Sequence, residues 1–191
     1  MRYRRTAGIS SILVLVGINV LLFIASVIVP ELIYLFGLRP VALLQMPWTI
    51  VTSMFMHSGF WHLFANMLTL YFFGTALVGL VGERSFLLVY FLGGILGNVA
   101  FIFLGSPFSI VIGASGAVYA LGGALAVLRP RVKVFVFPIP VPVPLWAAII
   151  GGFIILSLVP FIAWQAHLGG LILGLIAGYF FRRRERRYRW Y

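Results

Sequence analysis

From Ile9 to Phe181 the chain is a succession of apolar runs, each ended by Pro, Gly or charge. Two of these runs open on polar residues: Gly113-Ala114-Ser115-Gly116 and Ala166-His167. Only 9% of the residues are charged, and 63% are hydrophobic. A soluble domain carries about 25% charge. Too few polar side chains exist here to cover a water-facing surface. The chain therefore reads as an all-α integral membrane protein, its apolar runs gathered in one domain over 1–191.

Six spans are expected, at roughly 9–29, 60–80, 85–104, 115–128, 145–159 and 165–181. With six spans both ends lie on one side of the membrane. That side receives Arg2, Arg4, Arg5, Arg84, Arg129, Arg131, Lys133 and the six arginines between Arg182 and Arg189. The other side receives only Arg39. This bias places both ends in the cytoplasm. The net charge of +11 is then concentrated at the inner surface. The basic tail 182–191 reads as a topology anchor that meets anionic membrane lipids, and not as a nucleic-acid site. The first apolar run is too long for a signal-peptide core and lacks a small-x-small cleavage site, so it is expected to stay as a helix.

The first loop, 30–59, is long and still apolar, and is expected to lie partly in the outer interface. The fourth run is short. Its roughly 14 residues reach about 21 Å as a helix, against a hydrocarbon core about 30 Å thick. Arg129 fixes its inner end. Ser115 is then expected well below the outer surface, under the loop 105–113. Irregular backbone at that depth must be buried in protein or line a water-filled cavity. The spacing thus predicts an outward-opening pocket with Ser115 at its floor. Segment 134–144 alternates aliphatics with Pro138, Pro140, Pro142 and Pro144, and is expected to be an extended inner loop without chemistry.

The residue inventory excludes several chemistries. There is no Cys, hence no thiolate nucleophile, Cys-held metal or disulfide. There is no Asp, and the acids are Glu31, Glu83 and Glu185. A two-aspartate protease is excluded, and a His-Glu-x-x-His zinc motif is absent. No metal and no cofactor is implied.

Ser115 lies between Gly113 and Gly116, and glycine permits a tight turn and close backbone approach. A serine at a helix start sits among free N–H groups that favour negative charge. Taken alone the motif is weak, and an N-cap serine is the commoner use of the residue. His167 adds weight to the chemical reading. Gly170, Gly174 and Gly178 follow it on one helix face, a ridge that lets another helix approach closely. Ser115, Tyr119, Gly122 and Ala126 form the expected matching face on the fourth run. Packing of the two faces brings Ser115 and His167 together as nucleophile and base. With no Asp to orient the imidazole, a dyad is the economical reading. Tyr119 can pack against the ring, or be plain core. His62 and Asn66, at i and i+4 on the second span, can donate to an oxyanion together with the Ser115 N–H. They can equally hold helices together. His57 is read as a tie from the first loop to the second span, and Asn98 as interhelical glue.

These residues resemble the rhomboid intramembrane serine proteases. The likeness rests on His62-Leu63-Phe64-Ala65-Asn66, on Gly113-Ala114-Ser115-Gly116 with Tyr119, and on Ala166-His167-Leu168-Gly169-Gly170 with Gly174. It implies a six-helix rhomboid bundle of the minimal prokaryotic type, without an added soluble domain or seventh helix. It implies Ser115 as nucleophile, His167 as base, and His62 and Asn66 around the oxyanion. Substrates would be single-span membrane proteins, admitted sideways past the fifth span and the loop 160–164. One departure is visible: many bacterial relatives carry Trp-Arg where this chain has Trp48-Thr49.

Two other function classes compete. A non-catalytic relative would bind or escort membrane helices, but this chain keeps both Ser115 and His167. A transporter or channel would need a polar path across the membrane, and the inner halves of the second, fourth and sixth runs are apolar.

Overall fold

A computed structural model describes residues 3–136, 140–160 and 162–188. The apolar runs become helices: α1 (Tyr3–Ile28), α4 (Phe60–Val81), α5 (Glu83–Leu104), α6 (Ser115–Leu128), α7 (Leu145–Ser157) and α8 (Trp164–Tyr188). Two short helices lie in the first loop, α2 (Leu32–Phe36) and α3 (Thr49–Thr52). Strands β1 (Lys133–Val134) and β2 (Val143–Pro144) pair antiparallel. The extended inner loop therefore closes on itself as a ribbon. Pro138, expected within that loop, lies outside the described residues.

Among the described residues four helices are long and apolar enough to cross a membrane: α1, α4, α5 and α8. The other two apolar helices, α6 and α7, are shorter, at 14 and 13 residues. Length and composition thus carry four of the six expected spans. The protein is an integral membrane protein with an all-α membrane fold.

The start and stop of α6 match the sequence expectation. Arg129-Pro130 ends it, because the residue before proline disfavours helical backbone. The last helix does not stop at Phe181 as expected. It continues through the arginines to Tyr188, since Arg and Glu are good helix formers and loss of apolar character does not end a helix. This extension carries Glu185 to Arg129. Arg129 donates from Nη1 to Oε2 at 3.0 Å and from Nη2 to Oε1 at 2.8 Å. The neighbouring carboxylate raises the Arg129 pKa further, and the pair ties the C-terminal ends of α6 and α8.

Helix α6 sits at the centre of the molecule. All its residues except Ser115, Tyr119 and Val127 are buried. Its closest partner is α8, through the glycine ridge. A Cβ at Gly170, Gly174 or Gly178 would fall on the carbonyl oxygen of Gly116, Ala120 or Ala124. A Cβ at Gly123 would meet the α8 backbone at Leu171 and Leu175. The packed face of α6 is therefore Gly116–Ala120–Gly123–Ala124. The expected face, Ser115–Tyr119–Gly122–Ala126, is one residue out, or about 100° around the helix. Gly122 faces Ile149 of α7 and Phe73 of α4 instead. The physical reason is division of labour. The stripe that touches α8 must be backbone-smooth, so the larger Ser115 and Tyr119 side chains stand beside it.

Helix α5 completes the core. Gly97 abuts the Ala166 carbonyl, and Gly169 abuts the backbone of Leu96 and Gly97. The first loop lies on this core. Asn98 of α5 donates to the Ile50 carbonyl at 2.7 Å and to the Ser53 hydroxyl at 2.8 Å. It bonds α5 to the short helix α3 and to Ser53 of the first loop, an interhelical contact of the kind the sequence suggested. Leu38 and Val111 form an antiparallel bridge that joins the first loop to the segment before α6.

Candidate active site

The turn into α6 sets the site. Gly113 has φ +122°, a backbone that side-chain-bearing residues rarely adopt. Its N–H donates to the Ser53 carbonyl at 2.9 Å. A Cβ at Gly113 would also lie 2.8 Å from both Cε1 and Nε2 of His62. Glycine is thus required here by conformation and by space. Ala114 is the N-cap residue, and its carbonyl accepts from the Val118 N–H at 2.9 Å. Ser115 is the first residue of α6, one place past the N-cap. Its hydroxyl lies 2.9 Å from His167 Nε2.

His167 stands in the first turn of α8 and is 6% exposed. The Tyr119 ring stacks on the imidazole, with centroids 4.6 Å apart and planes at 28°. Phe153 of α7 meets Tyr119 edge-on at 6.1 Å. The second ring nitrogen, Nδ1, has no hydrogen-bond partner among the described residues. The imidazole is thus oriented by Ser115 at one edge and by stacking on its face.

His62 and Asn66 lie on the first two turns of α4 and line the same cavity as Ser115 and His167. One Asn66 amide hydrogen is engaged by the His62 carbonyl at 2.8 Å. The amide has a second N–H that can donate. His57 was expected to tie the first loop to α4. The structure stacks it edge-on against His62 at 4.9 Å, 1% exposed. Burial, and then the nearby His62, lower its pKa to about 3, so it is neutral at physiological pH.

The cavity has a volume of about 770 Å³. Ile33 and Ser58 of the first loop, segment 110–112, and residues of α4, α6, α7 and α8 line it. Its wall is mostly apolar, with Ser58, His62, Asn66, Thr69, Ser115, Tyr119 and His167 as polar lining residues. Among the described residues no three His, Asp or Glu side chains gather to hold a metal ion. Nothing in the sequence singled out Ser53 and Ser58. Ser53 holds Gly113 and Asn98, and Ser58 contacts His62 Nδ1.

The Rhomboid domain family matches residues 44–184. The chain belongs to the rhomboid family. It is 32% identical over 146 residues to YdcA of Bacillus subtilis (strain 168), covering 74% of this chain and 71% of that protein. It is 35% identical over 134 residues to Rhomboid protease GluP of the same organism, covering 68% of this chain and 25% of GluP. Inactive RHOMBOID-like protein 8 of Arabidopsis thaliana is 34% identical over 128 residues, covering 65% of this chain and 35% of that protein. The chain thus spans less than half the length of relatives such as GluP. In this rhomboid the Trp48-Thr49 pair anchors the first loop locally. Trp48 Nε1 donates to the Leu35 carbonyl at 3.0 Å, and Thr49 Oγ1 to the Met46 carbonyl at 2.6 Å.

Proposed function

We propose that this rhomboid is an intramembrane serine endopeptidase that cleaves single-span membrane proteins in or near the membrane. The observation that carries the reading is the 2.9 Å contact between Ser115 Oγ and His167 Nε2 at the cavity. The His167 ring accepts the Ser115 proton as Oγ attacks the scissile carbonyl. The Ser115 backbone N–H, in the free first turn of α6, stabilises the oxyanion. His62 and Asn66 supply further donors. His167 then passes the proton to the leaving amine, and water hydrolyses the acyl-enzyme by the reverse sequence. Gly113 and Tyr119 are supporting residues: one shapes the turn and the other orients the base.

The whole chain, 1–191, is taken as one rhomboid membrane domain of six spans, with α6 and α7 as the short ones. On the distribution of the basic residues, both ends and the tail 182–191 are taken as cytoplasmic, against anionic lipids. The cavity then opens to the outer face of a prokaryotic plasma membrane. Substrates would pass sideways by α7 and the loop 160–164, of which residue 161 lies outside the described residues.

The named inactivity of one relative motivates a second reading, a catalytically inactive rhomboid that binds or escorts membrane helices. The test is incubation of the purified protein, in detergent and in liposomes, with a panel of single-span proteins. Ser115→Ala and His167→Ala run beside it. Cleavage by wild type alone supports the protease. Binding of the panel proteins without cleavage by any form supports the escort reading.

A further inference from the structure

The imidazole of His62 is held at one nitrogen by the residue before the α4 N-cap. The Ser58 backbone N–H lies 3.4 Å from Nδ1, and the Ser58 hydroxyl lies 3.1 Å from the same atom. Gly59 is the N-cap of α4, so His62 is its third helical residue. The geometry resembles one half of a capping box moved by one residue: the third side chain reaches back to the N–H of the residue before the N-cap.

A hydroxyl can donate or accept, and an imidazole nitrogen can do either. A backbone N–H can only donate. Nδ1 must therefore be the accepting, unprotonated nitrogen. In the neutral ring the proton then lies on Nε2. The Cε1–Nε2 edge is the one that lies over Gly113, beside Ser115.

We infer that Ser58 is a positioning residue that fixes His62 as the Nε2–H tautomer, so that its donor faces the oxyanion forming at Ser115. This inference rests on the serine-protease reading above, which gives the oxyanion its place. The opposite tautomer would turn a lone pair toward the developing negative charge and put N–H against N–H at Ser58. A free imidazole exchanges between the two tautomers. Here the α4 N-terminus makes the choice before substrate arrives, so no reorganisation is needed during the reaction. His57 packs on the same ring edge-on and limits its rotation. The structural role of the contact is helix capping, and that role alone would leave catalysis unmoved by the tautomer.

The test is nitrogen NMR of protein carrying ¹⁵N-labelled histidine, above pH 7, with His62→Gln to assign the His62 signals. Wild type is expected to show His62 unprotonated at Nδ1 and protonated at Nε2. Ser58→Ala loses the hydroxyl, the nearer of the two Ser58 contacts at 3.1 Å, and leaves only the longer backbone contact at 3.4 Å to bias the ring. It is expected to show a mixture of tautomers, with kcat lowered about three- to tenfold and KM unchanged. Ser58→Thr is expected to restore both the spectrum and kcat. Protonation of His62 at Nδ1 in wild type overturns the inference. So does a Ser58→Ala enzyme whose tautomer changes while kcat does not, or one in which neither changes. The wild-type spectrum is read without substrate, so it stands even if Ser58→Ala fails to fold. Absence of any cleavage by wild type would overturn the protease reading instead, and the two failures are distinguishable.

Discussion

Ser115 Oγ and His167 Nε2 lie 2.9 Å apart although 52 residues separate them in the chain. What closes that gap is glycine. The α8 ridge of Gly170, Gly174 and Gly178 lets the α6 backbone come to contact, and each helix carries one member of the pair in its first turn. The chemistry at the top of the two helices therefore depends on atoms that are missing further down.

Replacing Gly174 tests this directly. Gly174→Ala would drive a Cβ onto the Ala120 carbonyl oxygen, and backbone cannot move aside cheaply. We expect a loss of about 3 kcal/mol, read as thermal unfolding in detergent, together with loss of cleavage. Gly79 of α4 has nothing near its Cβ position. Gly79→Ala should be neutral or gain up to about 1 kcal/mol. Equal behaviour of the two variants would contradict the account.

Tyr119 orients the base through its ring and not its hydroxyl. Tyr119→Phe should keep nearly full activity. Tyr119→Ala should lower kcat by up to about tenfold, the effect of losing an aromatic stack worth roughly 0.5–1.5 kcal/mol. Steady-state cleavage rates separate the two, and a large loss in Tyr119→Phe would assign the hydroxyl a role that the geometry does not give it.

Asn98 holds Ser53, and the Ser53 carbonyl holds the Gly113 N–H. Asn98→Ala leaves the Ile50 carbonyl and the Ser53 hydroxyl without this donor. We expect about 1–3 kcal/mol of destabilisation, and faster protease nicking of the first loop. Unchanged protection of that loop would show that Asn98 does not anchor it.

His57 makes stability depend on pH. Its folded pKa, about 3, lies below the ordinary value of 6.5 because burial disfavours the charged ring. The unfolded chain therefore binds the extra proton first as pH falls. The His57 contribution is fully present above pH 6.5 and is lost progressively between there and pH 3, by on the order of 1.4 kcal/mol per pH unit. A His57→Gln variant should show a flatter decline of melting temperature from pH 6 to pH 4. A decline as steep as wild type would remove His57 as a cause.

Much of this was legible in the residues. The ends of α6 could be placed because Gly-x-Ser-Gly marks one and Arg-Pro the other. Ser115, His167, His62, Asn66 and Tyr119 all line the same cavity, because polar residues inside apolar runs have few places to go, and Gly113 lies against His62 in the turn before α6. The exact packing face was not legible. Periodicity gives the spacing of a stripe, and two stripes 100° apart on α6 are both small or polar. The reach of α8 past Phe181 was missed because apolar pattern reports burial, whereas Arg and Glu sustain the helix without it. The roles of Ser53 and Ser58 depend on backbone partners in an irregular loop, which no periodicity encodes.

The most direct test of the central claim needs no substrate. A fluorophosphonate is offered to wild type, Ser115→Ala and His167→Ala, and the modified residue is located by mass spectrometry of the digested protein. The account predicts a covalent adduct on Ser115 in wild type, none at that position in Ser115→Ala, and a strongly reduced yield in His167→Ala. A wild-type protein whose Ser115 stays unmodified, or whose labelling is indifferent to loss of His167, would contradict it.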